Sequence, residues 1–146
     1  GNKEYTELFL SEKVHQKFFK QPMNWLQIED LTKRGHTIGA HTMDHIRVSE
    51  INNIEDIHYQ IGGCKSVIES HTKVDCEYFA FTYGHLGRDF DINTVAIAKE
   101  YYNNVFSAFS WEKYFCCDDL VLNRRQAEPY WKAKHINYFI SKHLNY

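Results

Sequence analysis

The stretch Gly35-His36-Thr37-Ile38-Gly39-Ala40-His41-Thr42-Met43-Asp44-His45 decides how this chain is read. It carries three of the nine histidines within eleven residues. Gly35 suits the left-handed position just past a helix C-cap. Thr37 and Ile38 are β-branched and suit a strand, so a helix should end and a strand begin here. His41 and His45 then fall where that strand ends and the chain turns. Neutral imidazole is a ligand for divalent metals near neutral pH. A separation of four residues lets the two rings converge if one helical turn lies between them. Two ligands do not complete a zinc enzyme site, which takes three protein ligands and a water. Hydrogen-bonded loop histidines are the alternative reading. Thr42 follows His41 where a helical zinc peptidase carries glutamate, which argues against that class.

Upstream of this stretch, Asn24 and Gln27 form a capping-box pattern after Pro22. Trp25, Ile28 and Leu31 then recur at helical spacing up to Gly35. Further toward the front, Ser11 heads a second candidate helix bearing Val14, His15, Phe18 and Phe19. Downstream, Ser49 is the expected cap of a long helix whose buried stripe is Ile51, Ile54, Ile57, Ile61, Cys64 and Ile68. Gly62 and Gly63 interrupt it, which predicts a bend or a close approach by a neighbour. His58 and His71 are expected to be solvated or capping residues. Tyr78-Phe79-Ala80-Phe81-Thr82 reads as a buried strand closed by Tyr83-Gly84. Asp91 or Asn93 caps the next helix, and Val105 to Phe109 form the next strand. Leu120-Val121-Leu122-Asn123 precedes Arg124 and Arg125, and a last helix carries Ile136, Phe139 and Ile140. Alternating helices and strands predict a parallel sheet. Functional loops of such sheets lie past the carboxyl ends of the strands. His41, His45 and Tyr83-Gly84 share that position.

Two of these segments carry a resemblance. Gly35 to His45 resembles the second motif of the NodB-homology polysaccharide deacetylases, with His36, Ile38, Gly39, His41, Thr42 and His45 in place and Thr37 where an acid is usual. The resemblance implies that His41 and His45 bind a divalent metal, commonly zinc, and that Thr42 supports the loop. Phe79-Ala80-Phe81-Thr82-Tyr83-Gly84 resembles the third motif, in the branch that reads Phe-Ala-Tyr-Pro-Tyr/Phe-Gly. Ala80 stands where another branch has arginine, and Thr82 replaces the proline. Tyr83 is then expected to offer its backbone N–H to an oxyanion, a role that does not depend on its side chain. The segment before Arg124 and Arg125 resembles one that carries an arginine in this branch, and either residue fits. Trp111 follows a strand where the family has apolar pocket residues. Trp111, Arg124 and Arg125 are therefore the expected substrate contacts.

Composition is compatible with this and excludes other classes. Hydrophobic residues make up 43% and charged residues 25% of 146 residues, the balance of a globular domain. A formal charge of -2 gives no reason to expect a nucleic-acid partner. No apolar run is long enough to cross a bilayer. Cys64, Cys76, Cys116 and Cys117 form no Cys-x-x-Cys pair and require no oxidising compartment.

The resemblance implies one domain over residues 1–146, an incomplete, irregular (β/α) barrel of the deacetylase type, with an ordinary open parallel sheet as the runner-up. It implies a metal-dependent hydrolase removing N-acetyl or similar acyl groups from a carbohydrate, a bacterial polysaccharide, in the cell envelope or outside the cell. No signal peptide or disulfide pattern is visible, which leaves the cytoplasm open. Two family motifs have no counterpart: the early Thr-Phe-Asp-Asp, source of the general base and third metal ligand, and the late Leu-x-His, source of a general acid. The chain is expected to begin after the first strand of the family's domain. Asp44, Asp75, Asp89 and Asp91 are the substitutes to consider, Asp44 first, although loop capping explains Asp44 equally well. The missing acids and Thr82 favour the alternative, a catalytically inactive carbohydrate-binding relative. A structural role in an envelope-polysaccharide assembly is a third reading.

Overall fold

A computed structural model describes residues 22–108, 113–124 and 131–141. Helix α1, Trp25–Lys33, begins with the expected capping box: Asn24 accepts from the Gln27 N–H and Gln27 accepts from the Asn24 N–H. It ends at Gly35, φ +84°. There the Gly35 N–H donates to Thr32 O at 2.9 Å and the His36 N–H to Leu31 O at 3.0 Å, the paired bonds of a Schellman cap.

The strand expected over Thr37 and Ile38 is reduced to one parallel bridge, Ala40 with Phe79. The Ala40 N–H donates to Tyr78 O and Ala40 O accepts from the Ala80 N–H. Ser49 does not cap the following helix. It lies in the 3-10 turn Val48–Glu50, and its hydroxyl donates to Arg88 O at 2.6 Å. The cap is Asn53, which accepts from the Glu55 N–H. Helix α2, Ile54–His58, continues through a π-turn, Tyr59–Gly63, into helix α3, Cys64–Thr72. The predicted irregularity at Gly62 and Gly63 is this π-turn. Gly62 meets the Tyr101 ring so closely that an added Cβ would lie 2.5 Å from it. Of the isoleucine stripe, Ile61 and Ile68 are buried, whereas Ile54 is 56% exposed. Ile51 and Ile57 pack against the core from its edge, and full burial begins at the π-turn with Ile61.

Strand β1, Tyr78–Ala80, pairs in parallel with β2, Asn104–Ser107, and β2 in parallel with β4, Val121–Asn123. A short strand β3, Phe115–Cys116, is antiparallel to β4 and was not expected from the sequence. The sheet order is β1-β2-β4-β3. Helix α4, Ile92–Tyr101, is capped by Asp91 in a box with Thr94, and α5 spans Ala133–Ser141. The expected helix at Ser11 lies outside the described residues.

Alternation along the strands sends Phe79, Val105 and Val121 into the core, where they join Ile61, Val95 and Ala98 from the helices. Phe79 stacks on Tyr102 at 5.1 Å, and Phe81 on Phe90 at 4.2 Å. The opposite face of the sheet carries Tyr78, Ala80 and Phe106, which are less covered. Trp25 stacks flat on His71, with ring centroids 3.9 Å apart. His71 is thus a packing partner, and His58 is one too, through its bond to the Tyr101 hydroxyl at 2.7 Å. All four cysteines are free thiols. Among the described residues no helix is long and apolar enough to cross a membrane.

Candidate functional site

The two histidines and the Tyr83 turn meet at one end of the sheet. The His41 and His45 rings lie 5.0 Å apart, edge to face, and the His45 and Tyr83 rings 5.4 Å apart. His41 and His45 come together without the helical turn that would suit their four-residue spacing. Residues 43–45 form a bend, and Thr42 and His45 take left-handed backbone, φ +60° and +58°. Gln60, buried in the π-turn, sets this course. Its Oε1 accepts from the Met43 and Asp44 N–H groups at 3.1 Å each, and its Nε2 donates to Asp44 Oδ2 at 2.7 Å. Asp44 is therefore a loop anchor.

His41 Nδ1 lies 2.7 Å from Ala80 O. A carbonyl only accepts, so Nδ1 carries the proton and Nε2 the lone pair. Burial holds the His41 pKa below its usual value, against the raising effect of that bond, with smaller lowering contributions from Arg124 and His45. The ring is thereby neutral near pH 7, the form that ligates metal. Orientation by a backbone carbonyl is a common arrangement for a metal-binding histidine. Among the described residues, however, no group of three or more His, Cys, Asp or Glu side chains gathers to hold a metal. His41 and His45 could offer two nitrogen donors to such an ion, and no third donor joins them among the described residues.

Tyr83 also has left-handed backbone, φ +60°. Left-handed geometry at a non-glycine residue costs on the order of 1–3 kcal/mol and persists where surrounding contacts enforce it. At Gly84, φ +76°, an added Cβ would lie 2.5 Å from the Ala108 amide nitrogen. Here only glycine lets the turn pack against the end of β2.

Thr82, Asp89 and Arg47 secure the two loops, in roles that the sequence did not suggest for them. Thr82 is buried and its hydroxyl donates to Ile46 O at 2.7 Å, while its oxygen lies 3.2 Å from Thr42 Oγ1. The Asp89 carboxylate is wholly buried, with Oδ1 accepting from Arg47 Nε and Arg88 Nε, and Oδ2 from Arg88 Nη2 and the His85 N–H. Burial alone would raise the Asp89 pKa, but the Arg88 and His85 donors and charges outweigh it and hold the pKa below the usual value. Arg47 in turn lies over the Tyr83 ring, 4.5 Å from its centroid. A polar residue inside the isoleucine-rich helix, Gln60, was the one signal available for the loop anchor. Nothing in the sequence pattern distinguishes Asp89 from an ordinary turn aspartate.

Arg124, on the residue after β4, lines an open cleft with His41, Ala80, Tyr78 and Phe106. Desolvation by the cleft walls lowers its pKa. Trp111 and Arg125 lie outside the described residues. Asp91 is a helix cap and Asp89 a buried anchor, so neither stands in for a third ligand.

The sequence pattern of the family described as "Polysaccharide deacetylase" matches residues 4–104, more than half of the chain. The chain belongs to the polysaccharide deacetylase family. No curated protein matches it. Among solved structures, a polysaccharide deacetylase from Bacillus cereus superposes with a TM-score of 0.64 at 18% identity, covering 96% of this chain and 48% of that one. A candidate polysaccharide deacetylase from Bacillus anthracis gives 0.63 at 18% identity, with 97% and 48% covered. IcaB from Ammonifex degensii gives 0.52 at 19% identity, with 73% and 48% covered. The chain thus spans about half the length of these relatives. The fold is that part of an irregular (β/α) barrel of the polysaccharide deacetylase type.

Proposed function

We propose that residues 1–146 act as one domain of a metal-dependent hydrolase that removes N-acetyl or similar acyl groups from a carbohydrate, and that this domain supplies the metal-binding and oxyanion-binding side of the site. The observation that carries the reading is the convergence of His41 and His45 beside the Tyr83 turn, with the His41 tautomer set by Ala80 O. His41 and His45 would hold the ion, zinc by preference for nitrogen donors. When bound, such an ion supplies Lewis acidity toward an amide carbonyl and toward water. The Tyr83 N–H is assigned to the oxyanion that forms at that carbonyl. A preorganised backbone donor of this kind contributes on the order of 3 kcal/mol to lowering the barrier. Arg124 lines the cleft beside His41 and is assigned to the sugar, together with Trp111 and Arg125.

No described residue takes the place of the general base or the general acid. Each such group typically contributes 10²–10⁴-fold in rate, as an order of magnitude. That deficit, with the absence of a third ligand among the described residues, supports the second reading, an inactive carbohydrate-binding relative. Acetate release from N-acetylated oligosaccharides, with zinc or cobalt added, separates the two. It should be run on this chain and on the longest natural protein that contains it. The hydrolase reading predicts release by the longer protein that His41→Ala abolishes, and little release by the 146-residue chain. No release by either, on any acylated glycan tried, rejects it.

A further inference from the structure

We propose that Thr82 is a positioning residue that locks the His41–His45 loop to the Tyr83 turn, so that both halves of the site hold their geometry only together. The inference rests on the metal-site reading above and names a residue that reading does not use. Thr82 donates its only hydroxyl proton to Ile46 O. Its oxygen can then only accept from Thr42 Oγ1, which makes Thr42 the donor across 3.2 Å. The chain Thr42, Thr82, Ile46 O thus crosses between segments about 40 residues apart and returns to the first. Both threonines are buried, at 6% and 2% exposure, so water does not substitute for a lost link.

What the clamp holds is strained backbone. Thr42, His45 and Tyr83 are three of the seven non-glycine residues with positive φ among those described. A β-branched residue such as Thr42 is a true outlier there, and the hydroxyl that Thr82 accepts from belongs to this same residue. The bond from Thr82 to Ile46 O closes the far end of the loop, one residue past His45. Strain of this kind needs contacts that over-determine it, and Thr82 contributes two.

The test compares Thr82→Val, which keeps the shape and deletes the hydroxyl, with Thr82→Ser, which keeps the hydroxyl. Thr42→Val cuts the same link from the other side should Thr82→Val fail to fold. Cobalt(II) titration of the 146-residue chain, followed by its visible absorption, reads the histidine geometry. Amide hydrogen exchange at residues 42–46 and 82–84 reads the loops without metal. The clamp predicts at least about tenfold weaker cobalt binding with an altered spectrum in Thr82→Val, recovery in Thr82→Ser, and faster exchange in both loops. Unchanged binding and exchange in Thr82→Val, while His41→Ala loses the cobalt, overturn the clamp and leave the metal reading intact. If the unmodified chain gives no cobalt spectrum, the metal reading fails. Exchange then decides the clamp alone: acceleration in both loops supports it, and no acceleration overturns it.

Discussion

The helix-packed face of the sheet and the loop end above it are built on opposite principles. Phe79, Val105, Val121, Val95 and Tyr102 bury apolar surface against one another with relaxed backbone. The loop end buries polar groups, Thr42, Thr82, Gln60 and Asp89, and holds three non-glycine residues at positive φ. In the first region stability comes from contact area and is lost in proportion to what is removed. In the second it comes from satisfied hydrogen bonds, whose loss leaves a buried partner without one. Damage to the core should therefore be felt everywhere, and damage to a loop anchor first at the site.

The largest effect should follow from Phe79→Ala, which empties the junction between Phe81 and Tyr102. Unfolding in urea should show a loss of about 3–5 kcal/mol. Hydrogen exchange should speed up across helix-packed and loop regions alike.

Asp89→Asn comes next, with an expected loss of about 1.5–3 kcal/mol, since the lost bonds run to charged donors. The pH dependence is the sharper sign. The folded-state pKa of Asp89 lies below its ordinary value, so the unfolded chain takes up the proton first as pH falls. The stabilisation is complete above the ordinary value and disappears as pH drops through the lower folded value, below about pH 4. Urea midpoints measured down the acid range should fall more steeply for the natural sequence than for Asp89→Asn.

Gln60→Leu removes the side-chain acceptor that the Met43 and Asp44 N–H groups share, and leaves Met43 only its bond to the Gln60 backbone carbonyl. A cost of about 1–3 kcal/mol is expected, with exchange accelerated first at residues 43–45 while β1 and β2 stay protected. Asn24→Ala should be the mildest, about 1 kcal/mol from loss of the α1 cap, with cobalt or zinc binding unchanged. A change in metal binding there would erase the distinction between the two regions.

The apolar region was the more legible of the two. Asn24 with Gln27, Asp91, the end of α1 at Gly35 and the buried strand at Tyr78 all announce themselves by local pattern, and the parallel order follows from their alternation. What depends on distant partners was not legible. Ser49 looks like a cap, yet its hydroxyl has a better acceptor in Arg88 O, 39 residues away. Thr37 and Ile38 have strand propensity, but only Ala40 finds a bridge. The four-residue histidine spacing allowed convergence through a helical turn, whereas Gln60 bends the loop instead. Thr82 reads in sequence as a missing proline, and only the fold reveals where its hydroxyl goes. His41, His45 and the Tyr83 turn were legible as neighbours, because the chain before each runs in parallel, at the Ala40 bridge and at β1.

His41 and His45 are proposed to hold a metal ion together. Zinc titration of the 146-residue chain by calorimetry, beside the His41→Ala/His45→Ala double variant, tests this most directly. One zinc per chain is expected for the natural sequence, weakly bound because the described residues offer no third ligand, with no corresponding heat in the double variant. Equal zinc binding by the two proteins would contradict it.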